Sequence, residues 1–335
     1  MAWFAFLASA ASIGVAGVFL TRYGDAIADK TGLGGSWIGL VLVATVTSLP
    51  ELVAAVSAVR LAGTPEIAVG NLLGACVLNL FMLAVVDVLK DGEPLYSSAA
   101  TDHVLSAGLS IILLGTAGMG LALAQVDAPS ATAVVSLISP LLGVLYFASI
   151  RVSYRYQKSH VTAFTDQQPD AYPHLSLRQV GLRYGAAACL IVVSGIWLPY
   201  ATAGLARNLG WHEGFAGTLL AAFATTLPEM VVTLSALRLG AIDLAVGNLF
   251  GSTLFNLAIL GVADLLYAPG PLWTAVTPIH LISVLSALTM CGTALVALYY
   301  RSPGRWWNRG DWPSLLLILL FIANTLLVHR MTHNG

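Results

Sequence analysis

Long apolar stretches separated by short polar punctuation run the length of the chain. Ten of them predict helices, near residues 3–20, 37–61, 66–89, 103–125, 130–150, 178–205, 213–239, 243–267, 278–300 and 313–329. An α-helix needs about 20 apolar residues to cross a bilayer, and the alternating strands of a membrane β-barrel are absent. Only one connection, residues 152–177, is both long and polar, and it divides the helices into two groups of five. Met1–Gly17 is apolar and contains an Ala-Ser-Ala-Ala run, but it has no positively charged start. It reads as the first span rather than a removable signal.

Composition agrees. Of 335 residues, 58% are hydrophobic and 9% charged, with mean hydropathy +0.84. A soluble domain carries roughly 25% charged residues. A soluble enzyme, a nucleic-acid binder and a disordered chain are thereby excluded, leaving a multi-span helical membrane protein. The net charge is -1, without a large basic patch. Cys76, Cys189 and Cys291 lie in apolar stretches without metal-binding spacing, and read as small buried hydrophobes.

Lysine and arginine set the orientation. With both termini on one side, that side carries Arg60, Arg207 and Arg330. The other carries Arg22, Lys30, Lys90, Arg151, Arg155, Lys158, Arg178, Arg183, Arg238, Arg301, Arg305 and Arg309. The richer side is cytoplasmic by the positive-inside rule, so both termini face outward. Residues 152–177 are then a cytoplasmic linker. Trp306, Trp307 and Trp312 stand beside the last arginines as interfacial anchors.

The chain also repeats itself. Thr47-Ser48-Leu49-Pro50-Glu51 returns as Thr225-Thr226-Leu227-Pro228-Glu229, and Gly70-Asn71-x-x-Gly74 returns as Gly247-Asn248-x-x-Gly251. Arg60, Asn79 and Asp87 return as Arg238, Asn256 and Asp264. About half of the aligned positions are identical. Shared composition alone would match leucines and valines, not prolines, acids and amides in order. The copies begin on the second and seventh helices. Five spans separate them, so equivalent helices cross in opposite directions. The predicted fold is therefore all-α, with ten transmembrane helices as two inverted-topology repeats of five, an architecture of secondary transporters. The halves are 1–151, with its copy of the repeated block at about 45–87, and 178–335, with its copy at about 223–264.

Glu51 and Glu229 sit in the bodies of apolar helices, where a carboxylate costs several kcal/mol unless paired or hydrated. No basic residue in either helix body is placed to pair with them. Pro50 and Pro228 each remove a backbone donor and free carbonyls around Val46–Thr47 and Ala224–Thr225. With the hydroxyls of Thr47, Ser48, Thr225 and Thr226, these are hard oxygen donors suited to Na⁺ or Ca²⁺. Asn79 and Asn256 can each add an amide oxygen. Asn71 and Asn248 can do so too, or can bond backbone bared by the prolines. Gly70, Gly74, Gly247 and Gly251 allow close packing. Asp87 and Asp264 read as solvated helix ends or as entry points for ions. Glu66 and Asp243 read as helix-start charges, and the seven histidines as solvated.

At these motifs the chain resembles the sodium/calcium exchanger family, within the cation/calcium exchanger superfamily. The resemblance implies ten helices in two inverted sets, with ions in a central cluster on the second, third, seventh and eighth. It implies alternating access by sliding of the first and sixth. Carried over by position, the calcium-binding glutamates are Glu51 and Glu229. The hydroxyl or carbonyl ligands are Thr47, Ser48, Thr225, Thr226 and Ser252, and the central polar pair is Asn79 and Asn256. The chain departs from the family's pattern at Val46 and Ala224, where glycine is usual, and at Thr226, where serine is usual. Ala75 also replaces a serine ligand, which weakens one sodium site. Both central positions here are amides, whereas many members carry an aspartate at one.

The resulting expectation is an antiporter exchanging Ca²⁺ for Na⁺, the alternative being H⁺-coupled exchange. Two ionised glutamates balance one Ca²⁺, two Na⁺ or two H⁺, so exchange is expected to be electroneutral. No nucleophile–base pair, HExxH or cofactor motif points to an enzyme, and no cofactor is expected. A passive channel fits an inverted repeat around one buried acidic site less well than a carrier does. The expected partners are the bilayer and the transported ions, with no nucleic acid and no obligatory protein partner. The expected location is a prokaryotic inner membrane.

Overall fold

The computed structural model describes residues 2–126, 129–161, 171–208, 215–301 and 310–334. Every element of regular structure among them is a helix. α1 is Ala2–Thr31. α2 has two halves, Gly35–Thr47 and Leu49–Ala62. α3 (Pro65–Leu89), α4 (Asp102–Leu123) and α5 (Pro129–Val161) follow. Next come α6 (Leu177–Asn208), α7 (Phe215–Leu239) and α8 (Ile242–Leu266). α9 (His280–Tyr300) and α10 (Trp312–Asn334) complete the chain. Short turns, Leu95–Ser98 and Leu272–Ala275, come after α3 and α8.

Among the described residues eight helices are long and apolar enough to cross a membrane, or nine when the two halves of α2 count as one span. They display apolar side chains outward. On α5, Leu137, Val144 and Phe147 are exposed, as are Val193 and Trp197 on α6. Rows of this kind would promote aggregation in water and suit hydrocarbon. Arg305, Arg309, Trp306, Trp307 and the side chain of Arg207, used above to argue orientation, lie outside the described residues, as does 162–170 of the linker.

Two boundaries differ from the sequence expectation. α1 continues to Thr31, and α5 continues to Val161, so that residues 152–161 of the connection are helical. Residues 152–161 contain no glycine or proline, and loss of apolarity ends a membrane span without ending a helix. The repeat does fix one pair of ends. Gly63, three residues after Arg60, and Gly240, two after Arg238, close α2 and α7 with positive φ angles of 62° and 75°, which glycine adopts without strain.

The paired prolines behave differently. α2 breaks at Ser48 (φ -93°, ψ 7°) and bends by 40°. Pro50 then lies in the first turn of a new helix, where its missing donor is not needed. α7 runs through Pro228 as one continuous helix. The expectation of a broken turn in both copies is thus corrected for the second. A proline-containing span can persist when hydroxyls and neighbouring helices satisfy the freed groups, and Thr225 and Thr226 precede this one.

Two compact units divide the chain, 1–50 with 150–252 and 51–149 with 253–335, so each draws on both sequence repeats. In the first, α1 packs along α6 and against α7. Its core includes Leu20, Val43, Ile191, Val232 and Leu244. The Tyr184 hydroxyl donates to the Leu42 carbonyl (3.0 Å) and Thr21 to the Val232 carbonyl (3.2 Å). Gly195 lets α6 pass the prolines closely: a Cβ there would sit 2.5 Å from Pro50 Cγ and 3.6 Å from Pro228 Cγ.

In the second unit, α9 packs on α3, α4 and α10. Asp87 is fully buried rather than solvated. It accepts bonds from the Leu95 N–H (2.8 Å), the Ser314 hydroxyl (2.7 Å) and the Asp311 N–H (3.2 Å). Its repeat partner Asp264 likewise accepts from the Leu272 N–H and the Ser139 hydroxyl, and Ser139 in turn accepts from Trp273 Nε1 at 2.9 Å. Both aspartates hold a short turn whose first N–H lies eight residues on, which makes them architectural. Histidines are not all solvated either: His103 and His280 are buried. Glu66 pairs with His280 Nε2 (2.6 Å) and accepts from the Thr277 N–H (2.6 Å), linking α3 to the start of α9.

Candidate cation site

The first unit assembles a polar cluster from α2, α7 and α8. Its frame is made by glycines. A Cβ on Gly247 would lie 2.4 Å from the Ser36 carbonyl oxygen, and one on Gly251 2.1 Å from that of Leu40. From the other side, a Cβ on Gly39 would lie 2.4 Å from the Leu244 carbonyl oxygen. No side chain fits at these points, so α2 and α8 meet backbone to backbone, as small residues permit in membrane helices.

This contact sets Thr47 beside Asn248 and Ser252. The Thr47 hydroxyl lies 3.2 Å from the Ala44 carbonyl oxygen, 3.3 Å from Asn248 Oδ1 and 3.5 Å from the Ser252 hydroxyl. Asn248 Nδ2 donates to the Thr233 hydroxyl (3.1 Å) and approaches the Glu229 carbonyl oxygen (3.5 Å). The Ser48 hydroxyl donates to Glu229 Oε1 at 2.8 Å. Thr47 and Ser252 also face this carboxylate. Glu229 is 1% exposed, and its Oε2 has no hydrogen-bond partner. Thr225 and Thr226 are buried one turn earlier on α7, at the spacing that puts them on the Glu229 face.

Five of the residues singled out in the sequence thus meet: Thr47, Ser48, Glu229, Asn248 and Ser252. Thr233 was missed. Its signal was its place four residues after Glu229, on the same helical face. Asn248, whose role the sequence left open, is engaged by side chains on α2 and α7 and holds Thr47 in place.

Glu51, Asn79 and Asn256 belong to the second unit. All three are buried, at 0, 0 and 1% exposure. Glu51 lies within electrostatic reach of the Cys76 thiol, one turn before Asn79 on α3. The Cys76 thiol approaches the Thr253 carbonyl oxygen on α8 (3.8 Å), one turn before Asn256. The amide oxygen and nitrogen of both asparagines are buried without a hydrogen-bond partner. An unsatisfied buried polar group costs about 1–3 kcal/mol, so a native chain keeps one for a reason. Amide oxygens and carboxylates are hard donors that suit Na⁺ and Ca²⁺.

Comparison with known proteins bears on the family and the fold. The family model described as "Sodium/calcium exchanger protein" matches residues 1–163 and 183–329. The putative antiporter CaxA of Alkalimonas amylolytica is 27% identical over 248 residues, 73% of this chain and 74% of that protein. The inner membrane protein YrbG of Escherichia coli is 26% identical over 235 residues, 70% of each chain. A solved structure of the sodium-calcium exchanger NCX_Mj superposes with a TM-score of 0.75 at 16% identity, covering 97% of this chain and 98% of that one. At that identity the likeness speaks for the fold.

Proposed function

Because the chain belongs to the sodium/calcium exchanger family, whose members are cation antiporters and not enzymes, we propose that it exchanges Ca²⁺ for Na⁺ by alternating access. In this reading all ten helices span the membrane as two inverted sets of five, 1–151 and 178–335, joined by a cytoplasmic linker. Both termini face outward from a prokaryotic inner membrane. Glu51 and Glu229 bind the divalent ion, with Thr47, Ser48, Thr225, Thr226, Ser252, Asn79 and Asn256 completing the oxygen set.

One observation carries the reading. The Glu229 carboxylate is buried, is held by a hydroxyl from the other repeat and keeps one oxygen without a protein partner. A carboxylate so placed in a membrane helix needs a cation or a proton. The family description names sodium and calcium, and nothing in the site favours proton coupling over it.

The test is uptake of radiolabelled calcium into proteoliposomes under separately imposed outward Na⁺ and H⁺ gradients. Uptake driven by Na⁺ and abolished by Glu51→Gln and by Glu229→Gln is expected. Uptake that follows only the H⁺ gradient, or none under either, overturns the reading. Exchange of two Na⁺ for one Ca²⁺ leaves the charge of the two-glutamate site balanced, so the rate is expected not to change with a clamped membrane potential. A rate that follows the potential excludes electroneutral exchange.

A further inference from the structure

Away from the polar cluster, the first unit has a cavity of about 250 Å³ between α1, α6 and the chain entering α6. Arg22 and Tyr23 of α1, Tyr172 and His174 of the entering segment, and Arg183 of α6 line it. Its walls are pinned. The Tyr172 hydroxyl donates to Asp25 Oδ2 (2.8 Å) and the Ala171 N–H to Asp29 Oδ2 (3.1 Å). At the start of α6, the Ser176 N–H donates to Gln179 Oε1 (3.0 Å) and the Gln179 N–H to the Ser176 hydroxyl (3.3 Å). This is the reciprocal capping of a Ser-x-x-Gln box, which fixes where the segment ends.

Among the described residues, the pinning leaves a charge imbalance inside the cavity. The acids of α1, Asp25 and Asp29, accept bonds from the segment, and neither lines the cavity. Arg22 and Arg183 do line it, and among the described residues neither has a carboxylate partner within salt-bridge distance. Arg183 lies over the Tyr23 ring, 5.9 Å from its centre, which steadies the guanidinium and leaves its donors available. Two planar guanidinium forks and an imidazole around one concavity match the oxygens of a phosphate group.

The surroundings indicate what bears that phosphate. Phe19, one turn from Tyr23 and stacked on it, is exposed, and so is Leu182 beside Arg183. Apolar surface therefore adjoins the basic cavity along both helices. The arginines also stand on the side that the positive-inside rule makes cytoplasmic, where anionic headgroups meet basic pockets between spans. We infer that this cavity binds the phosphodiester headgroup of an anionic lipid, with Arg22 and Arg183 as the phosphate ligands and His174 and Tyr172 at its rim. The lipid would thereby bridge α1 and α6 at one end. The binding itself does not depend on which ion the protein transports.

Native mass spectrometry and thermal denaturation of the detergent-purified full chain test this, with phosphatidylglycerol, phosphatidylcholine or inorganic phosphate as probe. Phosphatidylglycerol is expected to be retained and to raise the melting temperature, and phosphatidylcholine is not. At roughly a factor of five per surface arginine, Arg22→Gln with Arg183→Gln is expected to weaken phosphatidylglycerol binding about thirtyfold. Arg178→Gln, on the same helix outside the cavity, is expected to leave it unchanged. Should the double glutamine variant not fold, Arg22→Lys with Arg183→Lys keeps the charge and is expected to bind more weakly than the unaltered protein. Stabilisation by inorganic phosphate equal to that by the lipid, lost in the same variants, would keep the phosphate site and overturn its assignment to a lipid. Equal retention of the two lipids, or equal loss in Arg178→Gln, overturns the proposal.

Discussion

Asn248 and Asn256 lie about two turns apart on α8, and both are buried, yet only one has partners. Asn248 joins Thr47, Thr233 and the Glu229 backbone in a connected network. Asn256, like its repeat counterpart Asn79, has neither amide atom bonded. In the sequence the two asparagines of α8 give the same signal, a repeated amide in an apolar helix. Their physical states separate them. A satisfied amide orders its neighbours and offers little to a ligand, whereas an unsatisfied one bears a desolvation cost that a bound cation can remove. Asn248 thus acts as a positioning residue, and Asn79 and Asn256 are the amides proposed above to meet the ion.

Leucine substitution separates the two roles, because leucine is close to asparagine in size and has no polar atoms. Asn79→Leu and Asn256→Leu are expected to cut calcium uptake by about a hundredfold, the scale for loss of tuned metal ligation. Their thermal stability should stay level or rise, since each removes an unsatisfied group. Asn248→Leu is expected to destabilise by about 2–3 kcal/mol, because Thr47 and Thr233 lose a buried partner. Uptake and thermal denaturation of the three variants decide it. A stability loss at Asn256 equal to that at Asn248 would break the comparison.

A second contrast tests the frame around the network. Gly251→Ala places a methyl group 2.1 Å from the Leu40 carbonyl oxygen and 2.7 Å from Ala44 Cβ. Both obstacles belong to a packed helix and cannot swing aside, so a cost of about 1–3 kcal/mol is expected. Gly14→Ala has no described atom within 4 Å of the new methyl group and is expected to be neutral or slightly stabilising. Equal melting temperatures for the two variants would show that the close approach of α2 and α8 is not needed.

How much of this was legible follows the physics of each signal. The spans were readable because apolarity over about 20 residues is a one-dimensional property. Their true ends were not, as residues 152–161 show: helix propensity continues where hydrophobicity stops. The two prolines look alike in sequence, and the outcome depends on whether a helix can restart at Ser48 or must satisfy the freed groups in place. Asp87 and Asp264 were misread as solvated because their partners, Ser314 and Ser139, lie far along the chain. His280 was misread for the same reason, since its partner Glu66 is 214 residues away. That both repeats carry a buried glutamate was legible, because a repeated intramembrane glutamate has few innocent explanations. Asn248 and Asn256 could be told apart only by their surroundings.

The smallest expected effect lies outside the membrane, where the contrast between satisfied and unsatisfied groups weakens because water competes. Burial, and then the Asp25 carboxylate that accepts its proton, push the Tyr172 phenol from its ordinary 10 up to about 12. The folded chain therefore holds this proton more tightly than the unfolded chain does. The contribution to stability is complete below about pH 10 and is lost as pH rises through 12. The group is only partly buried, so screening keeps the contribution at about 1 kcal/mol or less. Tyr172→Phe is expected to lower stability by that amount at neutral pH and to remove this part of the alkaline dependence. Thermal denaturation of the two proteins between pH 8 and about pH 12 measures it. A Tyr172→Phe loss as large as that of Asn248→Leu would mean that burial does not set the worth of these bonds.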